Sequence, residues 1–396
     1  MSGATTASPP ALDPRDPLAI QALLSDPERA TQARVRSFVE DHVRPQIDGL
    51  FAHARWPREW ARELGRLGLL GMHLDGYGCA GAGPVEYGLA CMELEAGDSG
   101  LRTFVSVQGS LAMTAIHRWG SEEQRSQWLP RLAAGEAVAC FALTEPGAGS
   151  DPAGMRTYAR RDGGDWVLEG EKRWIGMASI ADVAVVWART DDGVRGFLVP
   201  AGTPGFEVRD ITDKLAMRAS IQCELRFRGC RLPRSAVLPE AEGLSAAFTS
   251  LNEARFGIVW GVTGAARDCY ETALEHAAQR EQFGRPIASF QLVQEALADM
   301  AIGLARAQLL AVHLGRMKEA GRLAPEHVSI GKLDNVRVAQ HVVHTARGLL
   351  GGDGITLSHP VLRHMLNLEA VATYEGTAEI HTLIVGGALT GHRAFA

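Results

Sequence analysis

With 396 residues, 46% hydrophobic and 22% charged, the chain can bury a sizeable core in several packed units, and its composition excludes extended disorder. The formal charge of −6, with Lys and Arg scattered rather than blocked, leaves no basic stripe to neutralise phosphates, so no nucleic-acid partner is expected. Six cysteines, at positions 79, 91, 140, 223, 230 and 269, make no C-x-x-C pair and suit buried thiols of a reducing compartment, so no metal site is expected.

Residues 1–15 are rich in Ala, Ser, Thr and Pro without an apolar h-region, and read as a disordered tail. Between residues 16 and 136 the apolar positions recur at helical spacing, as in Trp60 to Leu70 and Glu86 to Ala96. Glycine-rich breaks at Gly76-Tyr77-Gly78 and Gly81-Ala82-Gly83 separate them, which predicts a helical N-terminal domain. From 137 to 240 the period changes to two. Ala137 to Leu143, Trp166 to Glu169, Val183 to Thr190, Gly196 to Pro200 and Glu224 to Arg228 read as strands of a compact middle domain. Helical spacing returns over 241–396, where Val293, Leu297, Met300 and Leu304 share one face. No apolar run approaches the roughly 18 residues of a membrane span, so a cytoplasmic protein without a membrane partner is expected. The order helical, β, helical gives an α+β fold class.

Two segments carry the chemistry. Tyr374-Glu375-Gly376-Thr377 isolates one carboxylate beside a glycine that lets ligand atoms approach the backbone. Leu143-Thr144-Glu145-Pro146-Gly147-Ala148-Gly149-Ser150-Asp151 ends a strand in a glycine-rich turn whose N–H groups and hydroxyls can face a cofactor. Together they resemble the acyl-CoA dehydrogenase family of flavoproteins, in its glutaryl-CoA dehydrogenase branch, over residues 16–395. The resemblance implies an N-terminal helical lobe, a middle β domain and a C-terminal four-helix bundle. It also implies FAD as cofactor, with Glu375 taking the α-proton of an acyl thioester while the β-hydride goes to flavin N5. A thioester α-hydrogen is barely acidic in water, so the base needs burial that raises its pKa toward working pH. Hydride has no side-chain acceptor, which is why a redox cofactor is required. No G-x-G-x-x-G stands between a strand and a helix, so the flavin site is not of the Rossmann type.

By the same resemblance Phe141, Leu143, Thr144, Gly149 and Ser150 hold the flavin, with Trp174, Ile175 and Gly176 along one of its faces. Gly176 stands where relatives carry a hydroxyl residue, which opens the identity of the electron acceptor. Arg280, Gln282, Phe283 and Gln291 would reach the flavin's ADP portion across a subunit boundary, an arginine suiting pyrophosphate through its fork of donors. Leu350, Gly351, Gly352, Thr377 and Glu379 complete the cofactor set, and a homotetramer is implied.

The segment Glu95-Ala-Gly-Asp-Ser-Gly-Leu-Arg102-Thr103 resembles the part of glutaryl-CoA dehydrogenases whose arginine grips the free carboxylate of the acyl chain, with Glu95 bridging to it. Taken bare, Arg102 and Glu95 could equally form a structural ion pair. Thr103, Ser150, Asn252, Arg255, Tyr374 and Gly376 are the remaining substrate contacts implied, although Asn252 and Arg255 could be helix-surface residues. Four readings follow. These are a decarboxylating glutaryl-CoA dehydrogenase that yields crotonyl-CoA and passes electrons to an electron-transfer flavoprotein, an oxidase using oxygen, a dehydrogenase of a carrier-protein-bound acyl group, and a non-catalytic flavin or acyl-CoA scaffold.

Overall fold

The computed structural model describes residues 12–392 and Ala394. Most of the expected disordered tail, residues 1–11, lies outside the described residues, while the Pro14 carbonyl accepts a hydrogen bond from Tyr270 Oη at 2.7 Å.

The N-terminal domain is built from α1 (Asp26–Phe38), α2 (Arg44–Ala52), α3 (Glu59–Arg66), α4 (Pro84–Gly97), α5 (Ser99–Val105), α6 (Thr114–Trp119) and α7 (Glu122–Ala133). Reciprocal caps start two of these, Ser25 with Glu28 and Ser121 with Gln124. A π-helical segment, Ser106–Met113, runs α5 into α6 without a break. Helix α4 is buried on nearly every side, and its glutamates Glu93 and Glu95 are buried with it, each on an arginine.

The middle domain contains β1 (Ala139–Ala142), β2 (Tyr158–Asp162), β3 (Asp165–Gly176), β4 (Val183–Thr190), β5 (Gly193–Pro200), β6 (Phe206–Asp210) and β7 (Gln222–Leu232). They pair in the order β1-β4-β2-β3-β7-β6, with β5 also on β4. The sequence reading lacked β2 and β6, whose charged residues Arg160, Arg161, Asp162, Glu207, Arg209 and Asp210 hide any apolar alternation. It also ended β3 too early. Register shifts between Leu168 and Gly170 and between Lys172 and Ile175 interrupt the period of two, yet pairing with β7 continues to Gly176.

The C-terminal domain has α8 (Gly243–Gln279), a small hairpin of β8 (Glu281–Gln282) and β9 (Arg285–Pro286), α9 (Gln291–Glu319), α10 (Pro325–Leu349), α11 (Val361–Thr373) and α12 (Ala378–Thr390). The expected bundle is present, with its fourth position shared by α11 and α12, which both pack on α10. Met300 and Leu304 of the predicted apolar face are buried. Although no uninterrupted apolar run is long, α9 has an 18-residue window of mean hydropathy 1.3 and is long and apolar enough to cross a membrane by length and composition alone.

Buried ion pairs lock the two helical domains together. Glu93 of α4 receives both terminal nitrogens of Arg267 from α8, at 2.7 and 2.6 Å. Asp98, between α4 and α5, receives Arg363 and Asn367 of α11, each at 2.9 Å. These contacts fix α5, which carries Arg102, against the turn between α11 and α12, which carries Glu375.

Candidate active site

Helix α11 ends as Tyr374 N donates to Ala370 O, and α12 begins where Thr377 caps it, its hydroxyl accepting from Ile380 N at 3.3 Å. Between them Glu375 adopts φ 55° and Gly376 φ 99°. A left-handed glutamate costs about 1 kcal/mol and persists only where its surroundings over-determine it. Three side chains supply that constraint. Lys332 of α10 donates to Tyr374 O at 2.7 Å and to Gly376 O at 2.6 Å. Arg255 Nε of α8 donates to Glu375 O at 2.7 Å, and His381 Nε2 lies 3.2 Å from the same oxygen. Since a carbonyl only accepts, His381 carries its proton on Nε2, and Nδ1 accepts from Ser329 Oγ at 3.0 Å. Burial holds that imidazole neutral, with its pKa pushed down to about 3. A Cβ at residue 376 would stand 2.8 Å from His381 Nε2, so the glycine is required by space as well as by φ.

The backbone of Glu375 is thus held while its carboxylate stays free. Oε2 is out of contact with water and has no hydrogen-bond partner among the described residues. Burial raises its pKa, against the opposing pull of Arg102, Lys332 and Arg255. A carboxylate so placed is a proton acceptor without a competing donor.

Arg102 is fully buried and donates through Nε to Glu95 Oε2 at 2.6 Å, through one terminal nitrogen to Ser106 Oγ at 3.2 Å, and through the other to Tyr374 Oη at 2.5 Å. Three of a guanidinium's five N–H bonds are occupied, one on each nitrogen, leaving one on each terminal nitrogen for an incoming carboxylate. Thr103 Oγ1 lies 3.3 Å from Tyr374 Oη. Gly261 of α8 makes room for the pair, since a Cβ there would fall 2.0 Å from Glu95 Oε2. Arg102, Glu95, Thr103, Tyr374, Glu375, Gly376, Arg255 and Asn252, whose Oδ1 accepts from Arg255 at 3.2 Å, therefore form one cluster. Asn252 and Arg255, which the sequence left open as helix-surface residues, are both partly buried and meet this cluster.

The second cluster lies at the end of β1 and β3. Phe141 and Leu143 are buried, and Leu143 O accepts from Lys172 Nζ at 2.9 Å. Glu145 organises the following turn by accepting from Lys172 Nζ at 2.9 Å and from the backbone of Arg156 and Thr157 at 2.6 and 2.9 Å. Burial lowers the Lys172 pKa to about 8, an effect that Glu145 partly opposes. The Thr144 carbonyl accepts from Arg173 N at 2.9 Å, tying the turn to β3. The register shift in β3 gives Trp174 φ 62° and leaves its indole 51% exposed, while Ile175 is buried. Gly149 and Ser150 are exposed, and a Cβ at Gly176 would meet Val107 Cγ2 at 3.2 Å.

These residues fit a flavin. The hydroxyls of Thr144 and Ser150 are not engaged within the described residues, and neutral donors beside a presented aromatic face suit ring oxygens and a phosphate. The other predicted cofactor residues are not gathered here. Arg280, Gln282, Phe283 and Gln291 are exposed around the β8–β9 hairpin, Phe283 at 94%, and Gly351, Gly352 and Glu379 face solvent elsewhere on the bundle, while Leu350 is buried in its core. Thr377 serves as the cap of α12.

The sequence reading missed Lys332, His381 and Lys172. Lys332 had a signal: it lies on the buried stripe of α10 with Val328, Ser329, Asn335 and Val336, where a charged residue is out of place.

Comparison with known proteins agrees with this architecture. Residues 25–136, 140–230 and 241–390 match the N-terminal, middle and C-terminal domains of acyl-CoA dehydrogenases. The human mitochondrial short-chain specific acyl-CoA dehydrogenase is 35% identical over 361 residues, covering 89% of this chain and 88% of that protein. A crystal structure of glutaryl-CoA dehydrogenase from Mycobacterium smegmatis is 60% identical with TM-score 0.95, over 96% of this chain and 99% of that one. A second from that organism, in complex with FADH2, is 57% identical with TM-score 0.96, over 97% and 99%. Butyryl-CoA dehydrogenase from Megasphaera elsdenii is 31% identical with TM-score 0.89, over 93% and 99%. The chain belongs to the acyl-CoA dehydrogenase family.

Proposed function

We propose that the protein uses FAD to oxidise glutaryl-CoA at its α,β carbon pair and decarboxylates the product to crotonyl-CoA. The observation that carries the substrate is Arg102, a fully buried guanidinium with N–H bonds to spare beside Glu375. A plain acyl chain would leave that charge facing hydrocarbon, whereas a distal carboxylate pairs with it. The likeness to glutaryl-CoA dehydrogenase structures, one of them holding FADH2, supports both substrate and cofactor.

When bound, FAD supplies the acceptor for the β-hydride. This chain's residues do the rest. Arg102 receives the distal carboxylate and fixes how deep the chain lies. Arg255, Lys332 and His381 hold the backbone of residues 374–376, so that the Glu375 carboxylate takes the α-proton. The enoyl product carries its distal carboxylate on the carbon allylic to the new double bond. Carbon dioxide leaves with its bond pair remaining on that carbon, delocalised to the thioester carbonyl. The proton held by Glu375 then returns to the terminal carbon.

A homotetramer is part of the proposal, and exposed apolar residues of the C-terminal domain, Phe283 at 94%, Leu292 at 80% and Leu389 at 80%, support self-association. The six free thiols suit a cytoplasmic location. An electron-transfer flavoprotein is the acceptor proposed. Direct use of oxygen is the second reading, and Gly176 favours it, since no side-chain hydroxyl stands there.

Anaerobic mixing with glutaryl-CoA and with butyryl-CoA tests the reading. Glutaryl-CoA should bleach the flavin faster and release carbon dioxide with crotonyl-CoA. Equal bleaching by both, without carbon dioxide, rejects the substrate. Rapid oxygen consumption by the reduced enzyme selects the oxidase.

A further inference from the structure

Lys332 is 2% exposed in the middle of α10, and no carboxylate lies within ion-pair distance of it among the described residues. A buried ammonium usually carries a carboxylate partner, because its desolvation is otherwise uncompensated. Here two of its N–H bonds go to the carbonyls of Tyr374 and Gly376, at 2.7 and 2.6 Å, the two residues that flank Glu375.

We propose that Lys332 is the positioning residue of the catalytic base, clamping the carbonyls on either side of Glu375 so that the glutamate stays left-handed, and supplying the positive charge that keeps its carboxylate ionised. The proposal rests on the reading of Glu375 as base. The Tyr374 carbonyl lies in the peptide plane on the N-terminal side of the Glu375 Cα and is held by Lys332, while the Glu375 carbonyl, in the plane on the other side, is held by Arg255 and His381 and followed by the Gly376 carbonyl on Lys332 again. Of the two planes that set the direction of the Glu375 Cα–Cβ bond, Lys332 alone among these three side chains holds the first, which fixes φ. A misplacement of roughly 1 Å at a reacting group costs about 100-fold in rate.

The charge acts separately from the clamp. The ionisable groups facing Glu375 are Arg102 from α5, Glu95 from α4, Arg255 from α8 and Lys332 from α10. His381 of α12 touches the same turn as a neutral ring. Burial brings the Lys332 pKa down to about 7, a pull that Glu375 opposes and that Arg255 and Arg102 reinforce. Replacing Lys332 by a neutral residue removes one of the three cations that oppose burial, so the Glu375 pKa rises further. The pH at which the base ionises moves upward.

The test uses the flavin-loaded enzyme with a thioester whose β-carbon is replaced by sulfur, so that α-protons can be removed but no hydride can leave. Exchange of its α-hydrogens with deuterated water, followed by NMR across pH, reports proton abstraction alone. Wild-type enzyme should catalyse the exchange, and Glu375→Gln should not. Lys332→Met is expected to slow exchange about 100-fold, to move its acid limb to higher pH, and to leave thioester affinity within a few-fold. Lys332→Arg, which keeps the charge, should keep the acid limb in place. Where Lys332→Met yields no folded flavoprotein, Lys332→Gln replaces it and should show the same upward movement. Exchange by Glu375→Gln at the wild-type rate removes the base itself. Exchange that needs Glu375 while the neutral Lys332 variants keep the wild-type rate and limb overturns the role of Lys332 and leaves the base intact. Slower exchange with an unmoved limb also overturns the proposal, because lost packing alone would give that result.

Discussion

The sharpest consequence of the site concerns Arg102. Its side chain is fully buried, as is that of Glu95, and the two share one contact of 2.6 Å. Arg102→Ala removes the receptor for a distal carboxylate and also strands Glu95, whose second oxygen already lacks a partner among the described residues. An unpaired buried charge costs about 3–5 kcal/mol, so the single variant should lose stability for a reason unrelated to substrate. The double variant Arg102→Met with Glu95→Gln removes both charges and should recover most of it. For glutaryl-CoA, kcat/KM should fall about 1000-fold in either variant, the equivalent of about 4 kcal/mol for one desolvated carboxylate–guanidinium contact. Butyryl-CoA makes no such contact, and in the double variant its kcat/KM should hold or rise. Steady-state kinetics with both thioesters, beside thermal unfolding, reads all of this. Equal losses for the two substrates in the double variant would show that Arg102 shapes the pocket without recognising the carboxylate.

Glu375→Gln should retain flavin and bind thioesters yet lose turnover, since an amide takes no proton; residual activity above a few per cent removes it as base. Because burial raises the Glu375 pKa and the base works ionised, kcat/KM should climb with pH through a midpoint above the ordinary carboxylate value of 4.5, and a midpoint at or below it contradicts the burial. Gly376→Ala meets His381 Nε2 at 2.8 Å and a φ of 99°, so it should cost at least about 1 kcal/mol and most of the activity, whereas normal turnover would mean that the turn is free to shift. Burial pushes the Glu93 pKa up, but Arg267 and Arg36 outweigh burial and bring it from 4.5 down to about 2. A depressed carboxylate stabilises the fold above its unfolded pKa, so about 3 kcal/mol should be lost as pH falls from 4.5 toward 2, and Arg267→Met should flatten that loss in urea titrations.

The domain order was legible because the apolar period changes from helical to two and back again, and both changes fall near the structural boundaries. Strands β2 and β6 were illegible because their exposed residues are charged, and the end of β3 because register shifts destroy alternation at the point where Trp174 is turned outward. At the site, the sequence picked out Glu375, Arg102 and Glu95 by resemblance, and the fold brings them together across α4, α5 and the α11–α12 turn. It gave no means of choosing between Arg102 as structural partner and as receptor, because that depends on how many of its N–H bonds remain after Glu95, Ser106 and Tyr374 are served. Lys332 was marked only by a charge on the buried stripe of α10, and His381 by nothing. They bind main-chain carbonyls, and a backbone acceptor leaves no complementary residue to be noticed in the sequence.

The charges around the site also bear on substrate choice. Arg102, Arg255 and Lys332 face Glu95 and Glu375, so the protonated cluster carries one more positive than negative charge. In a buried site that surplus is costly, and burial draws the Lys332 pKa downward, which makes Lys332 the group placed to shed it. An acyl chain ending in a carboxylate restores neutrality, which lets Lys332 keep its proton and its grip on the turn. A chain ending in a methyl group restores nothing, and binding it further dehydrates the surplus charge. On the proposed function, substrate preference and the ionisation of the base would be coupled through the same three cations. Glu95, placed directly on Arg102, limits the surplus to a single charge, which one distal carboxylate would balance.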